Sequence, residues 1–150
     1  MANICTNRIY FYADQSAIDW FERVVNNLTD EGFIEQFGSE GPNNIERIGC
    51  KWITKDDWDR PDETTYYLGF ESAWYPPDTM IKNMVAQLQE HDESAYADGR
   101  YWDENFDPIG IFQCNGPDTW YSDEASVEVD WENEMYWDEE VEPAFDELEL

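Results

Sequence analysis

After Arg100 the chain runs for 50 residues without a lysine, an arginine or a histidine. That stretch carries 17 carboxylates, four between Asp103 and Asp118 and 13 between Asp123 and Glu149. The first 100 residues hold all eight bases against 19 acids, and the net charge is -28. In physiological salt the Debye length is about 8 Å, so neighbouring carboxylates repel one another appreciably. The repulsion opposes a compact state unless something offsets it.

Aromatic burial is the offset the sequence offers. Eight Trp, nine Tyr and eight Phe make up 17% of the chain, whereas disordered acidic chains are poor in such residues. Aromatic side chains supply large buried areas, and 150 residues suffice for one domain with a proper core. The composition reads as a folded body with an acidic skin: a domain over residues 1–131 and an acidic C-terminal extension over 132–150. Cys5, Cys50 and Cys114 are odd in number and show no CxxC spacing, and they read as reduced, mostly buried thiols. Met1 to Asp14 has no basic segment followed by an apolar run, so the expected location is cytoplasmic.

Asn7 to Ala13 is rich in β-branched and aromatic residues and predicts a strand. Ser16 with Asp19 is close to a capping box, and Ile18, Phe21, Val24, Val25 and Leu28 then recur at helical spacing until Gly32. Residues 33–44, with two glycines and Pro42, read as a loop. Ile48, Cys50 and Trp52 alternate like a strand, Lys55 to Asp62 reads as a charged turn broken by Pro61, and Thr64 to Trp74 is the best strand signal. Pro76 and Pro77 stop it. Asp78 or Thr79 then caps a helix with Met80, Ile81, Met84, Val85 and Leu88 on one face. Further strands are expected at Arg100–Trp102, Ile109–Cys114 and Ser126–Trp131. From Asp138 onward Val141, Phe145 and Leu148 are spaced like a weak helical face interrupted by Pro143, which leaves either a short docked helix or a loose tail. The order β, α, β, β, α, β with an added strand predicts an α+β, ferredoxin-like split βαβ fold. Its antiparallel sheet carries two helices on one face, followed by an extra C-terminal strand and an acidic tail.

Certain phrases resemble a known family. Met1-Ala-Asn-Ile-Cys-Thr-Asn-Arg8 is similar to the MANxCxN opening of the YubB-like ferredoxin-fold family of phage and plasmid proteins. Gly69-Phe-Glu-Ser-Ala-Trp-Tyr-Pro-Pro77 looks like its strand-to-helix junction, and Asp107-Pro-Ile-Gly-Ile-Phe112 is similar to a later strand. The likeness spans roughly residues 1–125. It implies the fold, a mobile-element origin and hence a host-cell cytoplasm, and it implies no activity. Residues 126–150 are more acidic than the family pattern, which marks this member as specialised. The matched residues also read as architecture: Trp74 as extended backbone near proline, and Pro77 as a helix start.

The catalytic alternatives fail on residue type. A nucleophile needs a base beside it, and His91 is the only histidine, expected as a solvated helix-end side chain. No GxxxxGK[ST] or GxGxxG loop is present to cradle phosphate. Direct nucleic-acid binding needs Lys and Arg clusters. Asp103-Glu-Asn-Phe-Asp107 begins like a calcium loop, but Pro108 and Cys114 stand where Gly and Glu belong. The reading is a non-enzyme with no cofactor and no designed metal site.

What remains is the acid row. In Ser126 to Glu134, Val127, Val129 and Trp131 alternate with Glu128, Asp130 and Glu132. A strand would pack the first set and array the second about 6.6–6.8 Å apart. Two offset rows approximate the roughly 3.4 Å phosphate spacing along one DNA strand. Glu134, Asp138, Glu139, Glu140 and Glu142 extend the row, with Trp137 among them to stack on arginine. The expectation is a DNA mimic that inhibits a basic, nucleic-acid-binding host defence protein, of anti-restriction or anti-CRISPR type, by occupying its DNA groove. A homodimer would lengthen the charged surface. The alternative is a non-catalytic interaction module whose acidic face only keeps it soluble.

Overall fold

Cys5, Asn7, Ile9 and Phe11 are buried along β1 (Ile4–Tyr12), while Arg8 and Tyr10 between them are exposed. This period of two defines the two faces of the sheet. The computed structural model describes residues 3–150. The other strands are β2 (Ile53–Asp62), β3 (Thr65–Ala73), β4 (Tyr96–Asp103), β5 (Ile109–Gly116) and β6 (Thr119–Ala125). All six pair antiparallel in one sheet of order β2-β3-β1-β4-β5-β6. The fold is α+β.

Among the described residues five helices accompany the sheet: α1 (Gln15–Val25), α2 (Asp30–Phe37), α3 (Asn44–Ile48), α4 (Asp78–Gln89) and α5 (Glu142–Asp146). Phe21 of α1, Phe33 of α2, Ile48 of α3 and Met84 of α4 join Ile9, Phe11, Leu68 and Phe70 in one buried cluster. Helices α1 to α4 therefore share one face of the sheet. The cluster is aromatic as well as aliphatic, with Phe33 edge-on to Phe70 at 5.1 Å. No helix among the described residues is long and apolar enough to cross a membrane. All three cysteines are free and buried on this side.

Several local expectations are corrected. Asp14, not Ser16, caps α1, accepting from the Ala17 amide at 2.9 Å. Gly32 does not end that helix: it lies in the first turn of α2, where its amide donates to the Thr29 hydroxyl at 3.0 Å. Of residues 33–44 only 38–43 are loop, because Phe33 and Phe37 give α2 a buried stripe that carries the helix to Phe37. Ile48 closes α3, and Gly49, at a φ of 98°, is its left-handed cap; there is no strand at 48–52. Lys55 to Asp62 is an edge strand rather than a turn, with Pro61 near its irregular end, where an edge tolerates a missing amide. Trp74 is not extended. Its φ of 69° is left-handed, and its amide donates to the Asn3 carbonyl at 2.9 Å as the chain leaves β3 for α4. Pro77 is the residue before α4, not inside it. Ser126–Trp131 is not a strand; the sixth strand is Thr119–Ala125.

Candidate acidic interface

The other face of the sheet is built differently. Trp102 of β4 and Ile109 of β5 point away from the four helices and meet the chain that follows β6. That chain contributes Val141 and Phe145, both buried, and Val127, Val129, Tyr136, Trp137 and Leu148 around them. The extension is thus docked rather than loose. It enters α5 through a π-type turn at Trp137–Val141, and Pro143 follows in the first turn of α5. The layer is aromatic: Trp102 meets Trp137 at 5.0 Å and Phe145 at 6.0 Å, both edge-on. One cation holds it to the sheet. Arg100 pairs with Glu142 at 3.0 Å and lies 4.9 Å from the Phe145 ring centre.

The acids of this layer fall into two sets. Glu140 accepts from the Asp130 amide at 3.0 Å and from the Asn133 side chain at 3.2 Å, so it ties the turn at 130–133 to the π-turn. Glu142 accepts from Arg100 and from the Trp137 indole at 3.1 Å. These two carboxylates hold the layer together and do not face outward as a sequence row implies. Glu128, Asp130, Glu132, Glu134, Asp138 and Glu139 are exposed. None of the six forms an ion pair among the described residues. Asp130 also accepts from the Glu132 amide at 3.1 Å, an Asx-type turn that sets the local backbone.

The expected row therefore becomes a surface of turns. The in-out alternation of Val127 and Val129 against Glu128 and Asp130 is kept without a hydrogen-bonded ladder. A single backbone bond, from the Val127 amide to the Phe106 carbonyl at 2.9 Å, pins its start. The Ser126 hydroxyl donates to Asp107 alongside. Two aromatic roles are exchanged. Trp137 is half-buried among Trp102, Phe106 and Phe145, where it anchors rather than recognises. Trp131, expected on the packed side, is 59% exposed and stacks on Phe106 at 5.8 Å. A hint lay in the spacing: Trp137, Val141 and Phe145 lie four residues apart, the same helical stripe extended one turn back.

Trp131 borders an open groove of about 550 Å³ whose floor is Val127 and Val129 and whose acids are Asp107 and Glu128. No base lines it. An apolar floor, an indole face and two carboxylates suit a long cationic side chain, which buries its stem and keeps its charge paired. Among the described residues no group of three or more His, Cys, Asp or Glu side chains is placed to hold a metal ion. His91 stacks on Trp20 at 4.1 Å on the helix side.

Fold and surface together define a small α+β protein with an ordered outer layer of one charge sign. Comparison with known proteins finds no matching family model, no matching curated protein and no matching solved structure.

Proposed function

We propose that the protein is a non-enzymatic DNA mimic that blocks a basic, nucleic-acid-binding host protein by occupying its DNA groove. The observation that carries this reading is the docking of a base-free acidic layer onto a rigid sheet through Trp102, Phe106, Ile109, Val141 and Phe145. A solubilising skin has no need of a dedicated core. Carboxylates held in place have less entropy to lose on binding than those of a flexible tail. A one-signed field speeds the encounter with a cationic partner and sets its salt dependence.

The fold reading that goes with it is ferredoxin-like. The first four strands run in the order β2-β3-β1-β4, with helices between β1 and β2 and between β3 and β4, which supports a split βαβ core. Helices α2 and α3, strands β5 and β6 and the C-terminal layer are then additions. The resemblance to the YubB-like phage and plasmid family accords with a defence nuclease or effector as the target and a host cytoplasm as the setting.

The test is capture of partners from a bacterial lysate, elution in a salt gradient and displacement by duplex DNA. Changing Glu128→Gln, Asp130→Asn, Glu132→Gln and Glu134→Gln together removes four exposed charges at roughly 0.5–1 kcal/mol each, so capture weakens by about a hundredfold. The circular dichroism spectrum stays that of the parent. A quadruple variant that captures and inhibits like the parent rules out mimicry through this surface, and leaves the solubilising reading.

A further inference from the structure

Two of the chain's eight bases stand directly opposite each other. Arg8 on β1 is the cross-strand partner of Arg100 on β4, on the face away from the helices. Like charges in that position destabilise a sheet. Arg100 is neutralised by Glu142. Arg8 is exposed, lies 5.2 Å from the Trp102 ring centre and has no ion pair among the described residues. In a protein of net charge -28, a guanidinium with no ion pair among the described residues, beside a second guanidinium, calls for an explanation.

The pair opens onto a cleft of about 450 Å³ lined by Arg8, Tyr10, Tyr12, Asp98, Arg100 and Leu150, among others. That size is within the usual range of small-molecule sites. Its walls are aromatic. Tyr10 is 38% exposed and leans on Tyr67 at 5.0 Å, and Tyr12 stacks on Tyr96 at 4.8 Å. The Tyr12 hydroxyl donates to Asp98 at 3.1 Å. Burial raises the Asp98 carboxyl above its ordinary value, and the Tyr12 hydroxyl is the hydrogen-bond donor that engages it on the cleft wall.

We infer that this cleft binds a small planar anion, an aromatic ring bearing a phosphate or a carboxylate, with the ring on Tyr10 and the anionic group on Arg8. Guanidinium forks match both anions, and tyrosine faces stack on aromatic rings. The occupant is small rather than polymeric. A nucleic acid strand would lay further phosphates along the acidic layer beside the cleft, whereas one anionic group meets the arginine pair within about one Debye length. The site adjoins the acidic interface on the same sheet face and shares Arg100 and Leu150 with it.

Calorimetric titration of the intact protein tests it, with adenosine 5′-monophosphate and indole-3-carboxylate as probes and inorganic phosphate as the control. At least one aromatic anion is expected to bind more tightly than phosphate, and the arm that binds tells phosphate from carboxylate. Arg8→Met, which keeps a stem over Trp102 and removes the charge, is expected to weaken binding by about tenfold or more. Its melting temperature stays level or rises, because a like-charge pair is relieved. Tyr10→Ala is expected to weaken binding as well. Neither aromatic anion exceeding phosphate, or Arg8→Met binding like the parent, overturns the inference.

Discussion

On one face of the sheet, α1, α2, α3 and α4 share a buried cluster with Ile9, Phe11, Leu68 and Phe70, tight enough to enclose three thiols. On the other, the chain after Ala125 packs its buried Val141 and Phe145 onto Trp102, Phe106 and Ile109. The helix side also carries cations against its acids: Arg60 pairs with Asp19 at 2.7 Å and Glu22 at 3.2 Å, and Lys82 with Asp78 at 3.9 Å. The opposite layer supplies none of its own and borrows Arg100 from β4. One face is arranged for stability. The other accepts charge repulsion, and aromatic packing keeps it in place. Order maintained against repulsion is what a recognition surface requires, and a solvating tail does not.

The contrast is broken or sharpened most strongly by matched core truncations. Phe21→Ala and Phe145→Ala each remove a buried ring, a change that costs about 3–5 kcal/mol in well-packed cores. Phe21→Ala is expected to lower the global unfolding free energy by that amount, read from the shift of the denaturation midpoint. Phe145→Ala is expected to release the layer first, so that hydrogen exchange rises sharply over residues 127–149 while β1, β3 and β4 stay protected. Equal loss of protection everywhere after Phe145→Ala makes the two faces one cooperative unit and removes the distinction.

Alkaline titration probes the helix side next. Burial pushes the Cys5 and Cys50 thiols up to about 12 from an ordinary 9.0. A thiol that ionises less readily when folded stabilises the protein fully below the unfolded value, and the contribution is lost as pH rises through the folded one. Stability is therefore expected to fall between pH 9.0 and about 12, by roughly 1.4 kcal/mol per pH unit for each thiol within that window. Burial raises Tyr12, Tyr67 and Tyr101 as well, which acts in the same direction. At pH 8 alkylation of the native protein should be slow, and equally slow in Phe145→Ala, because the thiols lie on the other side of the sheet.

The smallest effect falls on the seam. Arg100→Met removes a partly buried ion pair with Glu142 and contact with the Phe145 ring. A cost of about 1–2 kcal/mol is expected, read as earlier proteolysis of the extension. A variant as resistant as the parent shows that the aromatic contacts alone hold the layer.

Much of the helix side was legible in the sequence. β-Branched and aromatic runs marked β1 and β3, paired prolines marked the junction before α4, and all five apolar residues proposed for α4 are buried. The failures have local causes. Gly32 resembles a helix stop because nothing local shows that Thr29 starts a new helix there. Edge strand β2 is mostly polar along its exposed stretch, Asp56 to Asp59, and so mimics a turn. At Ser126–Trp131 the alternation is genuine, but the segment leaves the sheet edge after β6 and crosses its face instead of pairing. Charge was legible and placement was not. The carboxylates were plain in the sequence, yet which ones hold Asn133, Arg100 and Trp137, and which of two tryptophans faces outward, depend on long-range packing.

The most direct test takes a captured basic partner, purified, and mixes it with both this protein and its duplex DNA under native mass spectrometry. The account predicts two binary complexes whose populations exchange with the concentrations of protein and DNA, and no assembly holding all three. A stable ternary complex would show that the acidic layer binds somewhere other than the DNA groove and would contradict mimicry.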